Sequence, residues 1–381
     1  MDSVRPATQP TTGLRRALIG VAFVLVFATG LHGQDPPVLL SPEVRADRTV
    51  TFKFWAPRAA AVQLTGDWMG PQPPIAMTKD DAGVWTGVAG PFEPNIYTYA
   101  FLVDGARAID PACKCGLMGA GRFASSRFTI SATPARSWEP QNHPSGSLHL
   151  HRFFSMRQQL TRRFVVYTPP GYEMSENRRY PVLVLTPGTP GDENDWTTGG
   201  GFADVMFDNL IAAGRMEPML VVMHASDVLD PPDLRRGDEN LRAFETVIVD
   251  ELLPIVKQRY RPASDPKLWA IAGLSLGSEF GMYVGMKHPE LFRTIVSISS
   301  SFVPPSFDAR FPLQDPKRMA SDYRLIWVGT GTEDTFYNGA KAFAGRLAAN
   351  GVPHVYKEYR GAHVMPVFRQ ELDDVLPLLF R

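Results

Sequence analysis

The second half of the chain alternates short, continuously apolar runs with stretches of helical length. Strands that are apolar at every position must be covered on both faces, and helices between successive strands provide that cover. The alternation predicts an α/β domain with a mostly parallel sheet and helices on both faces. The predicted strands are 164–167, 182–186, 219–223, 268–272, 294–300 and 325–329, and the predicted helices are 239–257, 278–287 and 338–349.

Residues 40–130 follow a different pattern, in which short alternating runs are broken by Gly, Pro and Asp. The run 97–103 alternates, and Asp104-Gly105 directly after it is a strong signal for a two-residue hairpin turn. This pattern predicts an antiparallel β-sandwich of about a hundred residues. The segment that follows, SATPARSWEPQNHPSGS, has no apolar period and predicts a linker at 131–147.

The first thirty or so residues differ in composition from the rest. Arg15 and Arg16 precede an apolar run at 17–28, and small residues follow it. That run has the length of a signal-peptide core and is too short to span a bilayer. We predict a signal peptide at 1–33 and a secreted or periplasmic protein, with an uncleaved amino-terminal anchor as the alternative. The predicted order is signal peptide (1–33), immunoglobulin-like sandwich (34–130), linker (131–147) and α/β domain (148–381).

Charge and cysteine content exclude some classes of partner. The chain has 39 basic and 39 acidic residues, which gives no general field for polyanions, so nucleic acid is not an expected partner. Cys113 and Cys115 are separated by one residue, which is poor geometry for a mutual disulfide and too few ligands for zinc. We therefore predict two thiols, no metal and no cofactor. Stable membrane insertion after signal cleavage is not expected, and the sequence leaves the oligomeric state open.

One motif carries chemistry. The sequence LWAIAGLSLGSEFGMYVGMK places a G-x-S-x-G pattern, Gly273 to Gly277, between a buried strand and a helix. Such a turn holds the serine in a strained conformation, and the positions two before and two after it must be small so that strand and helix can approach. Both are glycine. We predict Ser275 as a nucleophile, with an ordinary strand-to-helix turn as the alternative.

A serine nucleophile needs a base, and three histidines follow it in the sequence. His288 ends the helix after the serine, and His354 opens a strand. His363 lies in the turn YRGAHVMP just beyond that strand, from where a loop can direct it towards Ser275. We predict His363 as the base, with a solvated loop histidine as the alternative.

The base itself needs a carboxylate to orient it, and the chain order in α/β-hydrolases is serine, acid, histidine. The stretch RLIWVGTGTEDTFYNGA ends a buried strand and places Asp334 at its carboxyl end. Strand end, chain order and spacing to the histidine favour Asp334 as the orienting acid. Glu333 is its competitor, and a plain helix N-cap is the alternative role for the aspartate.

A tetrahedral intermediate needs two backbone donors. One is predicted at the amide of Leu276, directly after the nucleophile, and the other in the loop TPGTPG at 186–191. Because Pro190 has no N–H, Thr189 is the better donor candidate and Gly188 the alternate.

Substrate contacts are harder to predict. Trp196, shortly after that loop, is one candidate. Arg235 and Arg236 lie in a polar segment at 224–240 that follows a strand, and they suit a carboxylate or a polyphenol, with a solvated loop as the alternative. Three sandwich tryptophans suit either stacking on sugar rings or a place in the core; they are Trp55, Trp68 and Trp85.

From about residue 160 to the C-terminus the chain resembles the esterase D or enterochelin-esterase-like family of α/β-hydrolases, which includes feruloyl and acetylxylan esterases and mycolyltransferases. The matching segments are RRFVVYTPPGYE, RYPVLVLTPGTPGDENDW, DNLIAAGRMEPMLVVM, AIAGLSLGS, HPELF, VGTGTED and GAHVMPVFRQEL. The chain has PGTPG at 187–191 where that family has a His-Gly-Gly-Gly-Gly run. In the sandwich, TVTFKFWAPRAAAVQLTGDW resembles the early-set, immunoglobulin-like module ahead of glycogen-branching enzymes and some secreted esterases.

The motifs and the resemblance together predict a secreted serine carboxylic-ester hydrolase that forms an acyl-enzyme, acting on small-molecule, phenolic or carbohydrate-linked esters. Two alternatives remain. One is an acyltransferase of the mycolyltransferase type, and the other is a non-catalytic carbohydrate-binding protein. Since the sandwich supplies none of the predicted catalytic residues, a chain that starts near Ser147 is expected to retain hydrolysis of small esters.

Overall fold

The computed structural model of the protein describes residues 35–115, 124–228, 237–300 and 315–381. The predicted signal peptide at 1–33 lies outside the described residues, as do Arg235 and Arg236. Residues 38–381 form one compact unit. Over the described ranges, no helix combines the length and the hydropathy needed to cross a bilayer.

The amino-terminal part is the predicted antiparallel β-sandwich. Asp104 and Gly105 both have positive φ, 48° and 84°, and form the predicted two-residue turn between paired Val103 and Ala106. One sheet has the order β1 (Glu43–Val44), β2 (Val50–Trp55), β6 (Val84–Ala89), β5 (Thr78–Lys79). The other has the order β4 (Ile75–Ala76), β3 (Val62–Gly66), β7 (Asn95–Val103), β8 (Ala106–Ala108), with β9 (Ser126–Ile130) paired to β7.

Aromatic side chains fill the sandwich. Phe52 contacts Tyr99 and Phe128 edge-on, and Trp68 packs on the same group. Edge-to-face contacts of this kind stabilise beyond the area that they bury.

The carboxyl-terminal part is the predicted α/β domain around an eight-stranded sheet. The strands are β10 (Ser147–Ser155), β11 (Leu160–Thr168), β12 (Val182–Thr186), β13 (Leu220–His224), β14 (Trp269–Leu274), β15 (Thr294–Ile298), β16 (Leu325–Gly331) and β17 (Val355–Tyr359). Their order is β10-β11-β13-β12-β14-β15-β16-β17. β12 to β17 are mutually parallel, while β10 and β11 form an antiparallel hairpin at one edge.

Helices cover both faces of this sheet. In β12, Val182 and Val184 face one core, whereas Leu183 and Leu185 face the other, which explains why the strand is apolar at every position. The helices are α1 (Ala203–Ala212), α2 (Gly237–Glu245), α3 (Leu253–Arg259), α4 (Leu276–Lys287), α5 (Pro316–Asp322), α6 (Tyr337–Ala349) and α7 (Met365–Val375); a π-helical segment, Thr246–Leu252, joins α2 to α3.

The segment 131–147 packs on the α/β domain. Trp138 is 2% exposed and belongs to the core between the sheet, α1 and α7. In α1, the amide of Asn209 donates to the carbonyls of Ser137 and Glu139. The segment is therefore anchored by burial and hydrogen bonds, which its polar composition did not indicate.

A buried arginine joins the sandwich to the α/β domain. Arg369 of α7 is 1% exposed, and its guanidinium donates to Asn95 Oδ1, to the carbonyl of Ile96 and to the carbonyl of Gly200. Burial lowers the pKa of Arg369 to about 10, so the side chain stays charged at neutral pH. Burying a charge without its hydrogen-bond partners costs free energy. The stability of the α/β domain therefore depends on the sandwich, which supplies two of these acceptors.

The prediction of two thiols is wrong. Cys113 and Cys115 form a disulfide bond, and their Cα atoms are 5.2 Å apart, a separation within the usual range. The loop that carries them brings the two side chains together despite the single residue between them.

Candidate active site

Ser275 lies at a sharp turn between β14 and α4. Its φ of 54° and ψ of −123° are unusual for a non-glycine residue, and its backbone N–H donates to the carbonyl of Ile298 at 3.0 Å. Conformations of this kind cost free energy and persist where the surrounding structure imposes them. The turn therefore presents the serine at the carboxyl edge of the parallel sheet.

The two glycines of the motif are required by close packing. A Cβ on Gly273 would overlap the carbonyl of Gly277, and a Cβ on Gly277 would overlap the carbonyl of Pro187. The strand, the helix and the neighbouring loop meet at these two points, which agrees with the reason given from the sequence.

His363 and Asp334 form a hydrogen-bonded pair. His363 Nδ1 lies 2.7 Å from Asp334 Oδ2, and the aspartate side chain is fully buried. Because a carboxylate only accepts, Nδ1 is the donor in this hydrogen bond, and in a neutral imidazole Nε2 is then the acceptor. The other carboxylate oxygen, Oδ1, accepts from the N–H of Phe336 at 2.8 Å. The imidazole is further held edge-on between the rings of Phe336 and Phe368.

The competing residues lie elsewhere. Glu333 is exposed, and its backbone N–H donates to the carbonyl of Gly361. His288 is bonded to Glu245 and Glu290, and His354 to the carbonyl of Val352. None of these side chains is placed to replace Asp334 or His363.

Both Ser275 and His363 lie in the described ranges, and no hydrogen bond joins their side chains there. Asp334 and His363 follow β16 and β17, and Ser275 follows β14, so all three lie at the carboxyl edge of one parallel sheet. Catalytic hydrogen bonds are often long in unliganded enzymes and tighten in the substrate complex.

The loop 187–191 packs against the serine turn. A Cβ on Gly188 would lie 3.4 Å from Ser275 Cβ. Within the described part of the chain, the backbone N–H groups of Gly188, Thr189 and Leu276 donate to no protein acceptor. Unpaired N–H groups beside a candidate nucleophile are suited to bind a developing oxyanion.

Buried polar groups anchor the start of this loop. The indole of Trp196 donates to the carbonyl of Thr186 at 3.1 Å, and Thr186 Oγ1 lies 3.2 Å from His224 Nε2. Burial lowers the pKa of His224 to about 4, so the ring is neutral at physiological pH. Its Nδ1 donates to the carbonyl of Ala225 at 2.8 Å, which leaves Nε2 as the acceptor for the threonine hydroxyl.

With this geometry established, the family of the chain can be assigned. A family model described as putative esterase matches residues 155–379, more than half of the sequence. The chain belongs to this esterase family. A second model, carbohydrate-binding module 48 (isoamylase N-terminal domain), matches residues 40–113 of the chain. The two matches confirm both resemblances stated from the sequence, and they fit the α/β-hydrolase fold with its amino-terminal sandwich.

Individual relatives of this chain are distant. It is 28% identical over 347 residues to an endo-1,4-beta-xylanase/feruloyl esterase of Xylanibacter ruminicola, a match that covers 89% of this chain and 46% of that protein. It is 26% identical over 266 residues to an esterase of Mycobacterium tuberculosis, with 56% and 55% covered. The chain spans about half the length of these curated relatives.

Solved structures share the fold of this chain. The enterobactin esterase of Shigella flexneri superposes with a TM-score of 0.68 at 19% identity, covering 87% of this chain and 93% of that one. A ferulic acid esterase of Anaeromyces mucronatus gives a TM-score of 0.55 at 17% identity, covering 64% and 93%.

The structure places Trp196, a predicted substrate contact, in the core. Its side chain is 1% exposed and packs between the sheet, α1 and α7, which argues against direct contact with a substrate. Trp85 is buried in the sandwich core, against which Trp68 packs, and the half-buried indole of Trp55 donates to the carbonyl of Ala82. The described sandwich thus uses its tryptophans mainly for packing.

A second buried carboxyl, which no motif of the sequence indicates, lies near the Asp334–His363 pair. Glu371 of α7 is fully buried and accepts from the N–H of Ser299 at 3.0 Å and from its hydroxyl at 2.6 Å. Burial raises the pKa of Glu371 to about 8, and the charge of Asp334 also raises it, while the hydrogen bonds from Ser299 act in the opposite direction.

This carboxyl is expected to make stability depend on pH. The folded protein keeps the proton of Glu371 to about pH 8, whereas the unfolded chain releases it near pH 4.5, so its contribution to stability falls as pH rises through that window. Glu371→Gln removes the titration. The Tm of the variant minus that of the wild type should therefore increase between pH 5 and pH 9. The increase should be about 2–4 °C for each kcal/mol of unfolding free energy that the wild type loses over this range.

Exposed Glu333→Gln is the control for this measurement, and its Tm difference from the wild type should stay constant over the same range. A constant difference for Glu371→Gln as well would show that Glu371 does not titrate in this window.

Proposed function

We propose that the protein is a carboxylic ester hydrolase in which Ser275, His363 and Asp334 form the catalytic triad. The observation that carries the proposal is the buried Asp334–His363 hydrogen bond at the same sheet edge as a serine held at positive φ. Membership of the esterase family supports it. The unpaired N–H groups next to the serine supply what the intermediate of ester hydrolysis requires.

The reaction would proceed in two halves. Ser275 Oγ attacks the ester carbonyl while His363 Nε2 takes its proton, and the carbonyl electron pair moves to oxygen. The N–H groups of Leu276 and Thr189, with Gly188 as alternate, stabilise that oxyanion. His363 then gives the proton to the leaving alcohol, and an acyl-serine remains. Water gives a proton to His363 as it attacks the acyl-serine; when the second oxyanion collapses, the bond from Ser275 Oγ to the carbonyl carbon breaks, His363 returns the proton to Ser275 Oγ, and the acid is released.

Asp334→Asn is expected to lower kcat for a small activated ester by about 10³–10⁴-fold. The amide keeps the shape of the side chain, but it favours the wrong imidazole tautomer and does not stabilise the imidazolium. Steady-state kinetics on the purified variant measure this. Glu333→Gln is the matched control and should stay within about twofold of the wild type. A larger loss in Glu333→Gln than in Asp334→Asn would place the acid one residue earlier.

We also propose that the substrates are phenolic or carbohydrate-linked esters. A cleft of about 710 Å³ lies beside the loop 187–191, and it is lined by the sandwich residues Thr98 and Ser125, by arginines of the β10–β11 hairpin such as Arg152, and by Met365 close to His363. The walls carry both arginines and carboxylates, among them Asp192 and Asp227, and polar walls of this kind suit hydroxylated substrates. The feruloyl esterase named among the relatives points to the same class.

A comparison of methyl ferulate, an acetylated sugar and a long-chain alkyl ester tests the substrate class. The first two should give the higher kcat/KM. A strong preference for the long-chain ester would instead favour an enzyme for lipid-like acyl groups.

Export is part of the proposal. The arginine pair and apolar run at the amino terminus have the features of a signal peptide. The Cys113–Cys115 disulfide suits an oxidising compartment. Amino-terminal sequencing of the protein from cell fractions tests export: a mature chain that begins near residue 34 outside the cytoplasm supports it, and an intact amino terminus contradicts cleavage.

A further inference from the structure

Ser226, two residues after β13, binds the loop 187–191 through its side chain and its backbone. Its hydroxyl donates to the carbonyl of Gly188 at 2.8 Å, and its N–H donates to the carbonyl of Gly191 at 3.2 Å. Thr189 Oγ1 lies 3.1 Å from the same hydroxyl oxygen. Since the Ser226 hydrogen is used on Gly188, the threonine hydroxyl is the donor in that contact. Ser226 is 1% exposed, so bulk water does not compete for these groups.

The bond to Gly188 also sets the direction of the next N–H. The peptide between Gly188 and Thr189 is trans, and in a trans peptide the C=O and the N–H point to opposite sides. With the carbonyl of Gly188 held by Ser226, the N–H of Thr189 is directed away from Ser226. That N–H meets no protein acceptor in the described ranges, and Gly188 lies against Ser275.

We propose that Ser226 is a positioning residue that presents the Thr189 N–H to the oxyanion formed on the substrate. The inference rests on the proposed function. Without the hydroxyl, the Gly188–Thr189 peptide loses the bond that fixes it and is free to rotate. A rotated peptide would turn a carbonyl oxygen towards the developing negative charge. Because the charge exists in the transition state and not in the bound ester, the loss should appear in kcat rather than in KM.

Ser226→Ala tests the proposal. We expect kcat/KM for a small activated ester to fall by about 10- to 100-fold, less than or equal to the loss of a donor itself, with KM within about twofold. The inhibition constant of an aryl trifluoromethyl ketone should rise by the same factor, because addition of Ser275 to this ketone places an oxyanion at the same position. The inhibition constant of the carboxylate product should not change.

Two further variants separate positioning from simple loss of stability. Ser226→Cys keeps the shape with a weaker donor and should give an intermediate loss. Ser126→Ala removes another buried serine hydroxyl, which in β9 accepts from the N–H of Asp110 at 2.8 Å. It should lower Tm without changing the ketone inhibition constant.

The inference is overturned if Ser226→Ala keeps kcat/KM within twofold of the wild type, or if the ketone and the product lose affinity equally. If Ser226→Ala does not fold, kcat/KM of Ser226→Cys relative to the wild type decides. An unchanged kcat/KM in Ser226→Cys overturns the inference. Ser275→Ala in the same assay distinguishes failure of the proposed function from failure of the inference about Ser226. Retained hydrolysis in Ser275→Ala contradicts the proposed function, whereas its loss alongside an unaffected Ser226→Ala contradicts only the role of Ser226.

Discussion

Ser275→Ala is expected to lower kcat/KM for a small activated ester by at least about 10³-fold while the protein stays folded. The substitution removes the nucleophile and nothing else. The turn is imposed by contacts that do not involve the hydroxyl, namely the Ser275 N–H bond to Ile298 and the close packing at Gly273 and Gly277. Steady-state kinetics of the purified variant measure the loss of activity, and circular dichroism measures whether the variant is folded.

Ser278→Ala is the matched control. Ser278 lies in the first turn of α4 and is fully buried. Its hydroxyl donates to the hydroxyl of Ser297 at 2.8 Å. Its loss should cost no more than about fivefold in kcat/KM, mainly through stability. A burst of acylation that persists in Ser275→Ala would show that another residue is the nucleophile.

The second large effect concerns the sandwich, whose removal is expected to unfold the α/β domain. Without residues 35–146, Arg369 would lose Asn95 and Ile96, and the core would lose Ile96 and Trp138. Leaving a buried charge without its partners costs about 3–5 kcal/mol, a large share of the 5–15 kcal/mol that stabilises a typical domain. This reverses the expectation from the sequence that the shortened chain would retain hydrolysis of small esters.

The same dependence can be measured in the full chain. Arg369→Met should lower the free energy of unfolding by about 3–5 kcal/mol in urea titrations, since three backbone or side-chain acceptors lose their donor. Arg318→Met is the control. Arg318 is exposed and pairs with Asp322 across one helical turn, a contact worth about 0–1 kcal/mol. A folded, fully active shortened chain, or equal effects of the two substitutions, would show that the sandwich is energetically independent.

Much of the architecture follows from local sequence. The continuous apolar run 182–186 predicts a strand covered on both faces, because each of its side chains must be buried whichever way it points. The Asp104-Gly105 turn follows from the positive φ that it needs. The G-x-S-x-G turn follows from the close approach that only glycine permits. Membership of the esterase family confirms the predicted α/β-hydrolase fold.

The triad itself stays a prediction, although the structure adds to it. Chain order and strand ends favour Asp334 and His363 from the sequence, because residues that follow parallel strands meet at one edge of the sheet. The choice of Asp334 over Glu333 gains support from burial: one carboxyl is enclosed and bonded to the imidazole, and the other is exposed.

Other features depend on which elements meet, and only the tertiary structure decided them. Trp196 follows a candidate catalytic loop, yet its side chain points into the core. Ser226 and Glu371 are ordinary residues in sequence, and their contacts join segments about 40 and 70 positions apart. Periodicity and turn chemistry act between residues that are near in the chain, so the sequence determined the strands, the helices and the serine turn. The groups that hold the loop, the second acid and the sandwich in place are set by long-range packing, which no local pattern encodes.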